Sequence, residues 1–296
     1  MFPPFTMPSK KTATAATDST AVVPLSTDFC ADDADVVIRA SGTLDFRVHK
    51  AILSFVSPFF KDMFTLPQPP STTPKALPLV DVQESANTWE NILRTIYPVP
   101  NPTINNLGDL QSLLLAAKKY EMQFVTDSHK KVLENRLLIQ RVPLHLYAIA
   151  CVCGIDDQAK FVAKNADLLT VVRTAQNEGP DALTLAYYRR LVSFLVERDN
   201  ELHPILEKGW TSFNSCCNCA PADYQGGDLY EHTKRQLRAP YTRMEEVYHI
   251  ALEARSRYYK KVCDSGKCSV MAMEIRKFLE RMFQERERVC NKFMWK

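Results

Sequence analysis

Residues 44–56 change their hydrophobic period midway, with no linker between the two patterns, and that switch limits the fold more than any other stretch. Leu44, Phe46 and Val48 alternate with Asp45, Arg47 and His49, so three apolar side chains share one face of a strand. From about His49 the apolar positions become Ile52, Phe55 and Val56, the spacing of a single helical stripe. A strand that runs straight into a helix belongs to neither an all-β nor an all-helical fold. Upstream, Asp35-Val36-Val37-Ile38-Arg39 reads as a short buried strand, and Ser41-Gly42-Thr43 supplies the turn of a hairpin.

The helix stops at Ser57-Pro58, and the same pair opens the next one. Ser57 is an N-cap acceptor, and Pro58 sits where a missing N–H costs nothing. Phe60, Met63 and Phe64 give that second helix a buried side, with Phe59 off the stripe. The stretch from Pro67 to Pro78 is too rich in proline to continue a helix and reads as an exposed loop before a strand at Leu79-Val80-Asp81-Val82. Trp89, Ile92, Leu93 and Ile96 then follow helical spacing as far as Tyr97-Pro98. Two further helices carry Leu110, Leu113, Leu114 and Ala117 on one face, and Val125, Val132 and Leu133 within about 123–138. The expectation is an α+β domain, a short mixed β-sheet wrapped by helices, over residues 28–140. A flexible tail rich in Thr, Ala, Ser and Pro is expected over 1–27.

Three motifs in this region resemble the BTB/POZ family: Asp35-Val36-Val37-Ile38, then Phe46-Arg47-Val48-His49-Lys50-Ala51-Ile52-Leu53, then Ser57-Pro58-Phe59-Phe60-Lys61-Asp62-Met63-Phe64. A fourth, Leu114 through Tyr120 with Ala117 inside it, resembles the late helix of the same fold. The plan of the chain is also similar to single-BTB proteins of fungi. The resemblance implies a scaffold that homodimerises through its N-terminal strand and first helices and that bridges to other proteins, corepressors or a cullin-type ubiquitin ligase among them. It also places Asp35 and Lys50 near a dimer seam as a partner-contacting charge pair; the alternative is that Asp35 caps a strand and Lys50 satisfies a helix end. His49 reads as a hydrogen-bonded core histidine. Phe59 is the candidate for a contact surface. Cullin-binding members carry an apolar-x-Glu motif after the second helix, whereas Leu66-Pro67-Gln68-Pro69-Pro70 has no glutamate, which weighs against an adaptor role.

Beyond residue 140 the signals are helical, and an all-α C-terminal region is expected, divided into a helical extension over 141–209 and a cysteine-containing, mainly helical part over 210–296. Leu144 to Ile155 is the most apolar stretch, closed by Gly154 as a C-cap and with Cys151 and Cys153 as core thiols. Asp156 and Asp157 mark a helix start, and Leu183, Tyr187, Leu191, Phe194 and Leu195 form a stripe. Cys216, Cys219, Cys263 and Cys268 could together hold a structural zinc, since a C-x-x-C pair is half of a tetrahedral thiolate site; more than forty residues part the halves, and the bland reading is reduced thiols. Apart from that zinc, no cofactor is expected.

Several function classes drop out. With a net charge of +3, and with glutamates 231, 245, 246 and 253 threaded through the basic stretch from Lys234 to Lys261, nucleic acid is not the expected partner; a nucleic-acid-binding or transcription-regulating role for the cysteine-containing region is the alternative. No phosphate-cradling glycine loop, H-E-x-x-H or G-x-S-x-G is present, so the expectation is a non-enzymatic protein. No segment has membrane-span or signal-peptide character, and nine cysteines in a chain of 296 residues read as thiols of the cytoplasm or nucleus.

Overall fold

The structure is a computed structural model that describes residues 23–66, 77–177, 179–180, 183–211 and 267–293. Residues 1–22 of the expected tail, most of the proline loop, the basic stretch from Lys234 to Lys261, and Cys216, Cys219 and Cys263 lie outside the described residues. Cys268 falls on a helix, but its side chain lies outside them as well.

A four-stranded sheet opens the fold in the order β1-β3-β2-β4, made of β1 (Leu25–Cys30), β2 (Val36–Ala40), β3 (Leu44–Val48) and β4 (Leu79–Val82). The antiparallel β2–β3 hairpin forms as its pattern requires, with Ile38 opposite Phe46 and both fully buried. β4 joins β2 in parallel, and β1 joins β3 in parallel with an irregular register. The sheet is therefore mixed. β1 begins at Leu25, so the last residues assigned to the tail are strand. Its exposed-buried-exposed pattern leaves only Ser26 and Phe29 buried, too weak an apolar signal to read without its neighbours.

Helices α1 (Lys50–Val56) and α2 (Pro58–Thr65) form the predicted corner, and α3 (Ala86–Ile96) follows β4. Next come α4 (Leu107–Lys119) and α5 (Gln123–His129), a 3₁₀ turn over Lys130–Glu134, and α6 (Arg136–Arg141). The single helix expected over 123–138 is thus broken in two, and the break is capped by Asn135, whose side chain accepts from the amides of Leu137 and Leu138.

The region after α6 is all-helical among the described residues: α7 (Pro143–Cys153), α8 (Asp156–Asn165), α9 (Leu168–Asn177), α10 (Leu185–Thr211) and α11 (Lys267–Phe293). α7 is buried on nearly every side, from Leu144 and Leu146 to Cys151 and Cys153, as a helix that is apolar all round must be. It ends at Gly154, whose φ of +72° is the left-handed turn that glycine adopts without steric cost.

Among the described residues there are two apolar clusters, one between the sheet and α1–α5, the other around α7. α4 belongs to both. At about 100° per residue, Leu107, Leu110 and Leu114 fall on one arc and pack into the helical cluster. Leu113, Ala116, Ala117 and Tyr120 occupy the adjacent arc and pack against the sheet side.

Candidate interaction surface

The α1–α2 corner is an exposed feature of the sheet-containing half. It is tied at three points by groups distant in sequence. At the start of α1 the backbone N–H of Lys50 donates to the Asp35 carboxylate at 2.7 Å, and the backbone N–H of His49 donates to the Tyr97 hydroxyl at 2.9 Å. The imidazole Nδ1 of His49 lies 3.1 Å from the same hydroxyl, and its Nε2 lies 3.3 Å from Asp33. Burial pushes the Tyr97 phenol up, so it stays a neutral hydroxyl able to serve both contacts.

The third tie is at the bend itself. Ser57 is fully buried; its hydroxyl accepts from the Phe60 amide at 3.1 Å and donates to the Tyr120 carbonyl at 2.5 Å. One side chain thereby caps α2 and fixes it to the last carbonyl region of α4. The Tyr120 phenol in turn donates to Glu84 at 2.6 Å, and Glu84 also accepts from Lys119 at 2.7 Å. Burial pushes the Glu84 carboxyl up, but the bonds from Lys119 and Tyr120 outweigh it and hold the group below the usual range. Around this network Phe60 stacks on Tyr120 and meets Trp89 edge-on.

On that rigid backing the corner presents apolar side chains to solvent. Phe55 is 90% exposed and Phe59 41% exposed. Phe59, singled out in the sequence, rests edge-on against Tyr120 and Phe60 with both centroids at 5.4 Å, leaving its far side open. Phe55 shares the helical stripe of Ile52 and Val56 in the sequence, and in the structure it faces solvent. Leu53 and Phe55 point about 200° apart on a helix, and in a helix of only 7 residues one of them must face out; Leu53 is the one that is fully buried. The sequence pattern could not choose between them, because the deciding contacts come from the sheet-side cluster that Leu53 joins.

The charged candidates come together in a different way from a simple pair. Asp35 accepts from the Lys50 backbone, while the Lys50 ammonium lies 5.7 Å from the centroid of the Phe64 ring. Among the described residues no side-chain ion pair joins Asp35 to Lys50. Asp35 thus serves the start of α1, and the ammonium of Lys50 serves the edge of α2. The described residues also contain no His/Cys/Asp/Glu group arranged to hold a metal ion, and none of their helices is long and apolar enough to cross a membrane.

The N-terminal strand closes one edge of the sheet in cis. Phe29 packs edge-on against Phe46 and Tyr97, and Asp28 pairs with Arg94 of α3, which also holds Glu90. The Phe29 and Asp28 anchors leave no local signal in the sequence, since each depends on a partner more than fifteen residues away.

A small four-stranded mixed sheet followed by a two-helix corner and further helices is the architecture of the sheet-containing half. Residues 28–137 match the family model of the BTB/POZ domain, and domains of that family are protein-interaction modules. Such domains are in general non-enzymatic. No curated protein matches the chain.

Proposed function

We propose that this protein is a non-enzymatic scaffold that homodimerises through the α1–α2 corner of its BTB/POZ domain and holds other proteins, with Phe55 and Phe59 at the contact. The observation that carries the reading is the pairing of an almost fully exposed phenylalanine with a half-exposed one on a corner held rigid by Ser57, Tyr97 and Tyr120. A large apolar side chain on an immobile base costs little entropy to bury, which is the economy of a binding hot spot. Asp35 and Lys50 flank it, and β1, paired in cis, completes the sheet behind it.

We place the protein in the cytoplasm or nucleus, a compartment in which its thiols would stay reduced. The test is light scattering of the full chain at tens of micromolar, beside Phe55→Glu and Phe59→Glu variants. The expected outcome is a dimer for the parent and at least about a tenfold weaker association for each variant, with far-UV circular dichroism unchanged. A monomeric parent, or a dimer indifferent to both substitutions, would remove the reading.

A further inference from the structure

Among the described residues, α4 is the one helix that lines both apolar clusters. Leu110 and Leu114 are buried in the helical cluster around α7, whereas Leu113, Ala116 and Ala117 are buried in the cluster on the sheet side. Ile104, just before α4, packs against both clusters. Polar ties cross at the same place. The Lys118 ammonium donates to the Val152 carbonyl at 3.0 Å, satisfying one of the orphan carbonyls at the end of α7 beside Gly154. The Gln158 amide of α8 donates to Glu134 of the 3₁₀ turn at 2.9 Å. Moreover Leu133 and Ile139, which precede α7 in the chain, lie in the helical cluster. A cut near residue 140 would therefore strip apolar surface from both pieces.

We infer that the BTB/POZ domain and the helical extension form one cooperative unit joined through α4, so that a partner bound on either half stabilises both. A ligand that binds only the native state raises the stability of everything that unfolds with its site. The α1–α2 corner lies inside this unit: Ser57 is bonded to the Tyr120 carbonyl at the end of α4, and Phe59 rests on the Tyr120 ring. Dimerisation at the corner would then protect α7 and α8, and occupancy of the extension would protect the sheet. This inference stands on α4 and does not require Phe55 and Phe59 to be the dimer contact.

A crossed pair of substitutions in the full chain tests it by native-state hydrogen exchange. Leu114→Ala removes packing from the helical side of α4 and Leu113→Ala from the sheet side. In a single unit each accelerates the slowest amides of β2–β3 and of α7–α8 together, by the same factor of at least about ten. Exchange that rises only in α7–α10 for Leu114→Ala and only in the sheet for Leu113→Ala would overturn the inference. Should either variant fail to fold, Lys118→Met takes its place. It removes a single bond between the halves and is expected to speed the slowest amides of both about fivefold. An effect confined to the end of α7 would count as the same refutation.

Discussion

The sheet-containing half and the helical half solve the problem of buried backbone polarity in opposite ways. In the first, neutral hydroxyls do the tying across long sequence distances: Ser57 to Tyr120, Tyr97 to His49, and Ser41 to the carbonyls of Gln83 and Glu84. In the second, cations sit on helix ends. Lys118 donates to the end of α7, and Arg198, only 3% exposed, donates to the carbonyls of Lys164 and Ala166 at the end of α8 while held by Asp199. Arg286 of α11 reaches Asn165 at the same end, and Lys164 pairs with Glu287, so the last helix docks where α8 stops. The difference follows from the parts used. A mixed sheet satisfies its own interior amides and needs side chains only at its corners, whereas a stack of short helices exposes four unpaired carbonyls at each C-terminus.

The largest effect that would sharpen this contrast is expected at Trp89. It is fully buried between Phe60 and Tyr120, and its indole N–H has no hydrogen-bond partner among the described residues. Trp89→Ala should cost about 3–5 kcal/mol by cavity formation, read from urea unfolding. Trp89→Phe should recover most of the loss, because packing and not a polar tie is what the residue supplies. A Trp89→Phe variant as unstable as Trp89→Ala would show that the indole nitrogen is a hidden tether of the kind found elsewhere in this half.

Next in size is Arg198→Met, which keeps much of the side-chain length and removes the charge. Leaving the end of α8 unsatisfied should cost about 1–3 kcal/mol, with faster amide exchange in α9 and α11. A neutral outcome would break the comparison, since it would mean that water or other groups replace the cation without loss.

The smallest effect concerns acid. Glu84 is held below its ordinary value, so its network contributes stability that is present above the usual glutamate range and is lost as pH falls through the lowered value. His129, beside Thr95, is pushed down by burial and has the same sign: its contribution is present above its ordinary value and is lost as pH falls. Both groups lie on the sheet-containing half. Thermal unfolding between about pH 7 and about pH 3 should therefore fall less steeply in the Glu84→Gln/His129→Gln double variant than in the parent. Parallel curves would rule these two groups out as the source of the slope.

Much of the fold was legible because its signals are local. The alternation at Leu44–Val48, the Ser57-Pro58 cap, the spacing of Trp89 to Ile96 and the glycine closing α7 each appear where the pattern put them. The errors share one cause. The outward side of Phe55 is not legible in the stripe of Ile52, Phe55 and Val56, because stripe spacing says which residues share a face and leaves open which face meets the core. Leu110, Leu113, Leu114 and Ala117 were read as one buried face, yet they divide between two cores, and no period in the sequence separates one buried environment from another. β1 escaped notice because a six-residue strand that buries two side chains carries almost no hydrophobic signal of its own.

What the sequence alone determined is most of the elements and their caps, β1 and the break at Asn135 apart, together with the BTB/POZ motifs of residues 28–137, because caps, prolines and hydrophobic period act within a few residues. Tertiary structure alone decided the rotation of α1 that turns Phe55 outward, the sharing of α4 between two cores, and the reach of Ser57, Lys118 and Arg198 to distant carbonyls. Those choices rest on groups from 32 to 63 residues apart in the sequence, or on which side of a helix its neighbours happen to lie. Long-range contacts of this kind leave no trace in local pattern, since each partner alone looks like an ordinary polar or apolar residue.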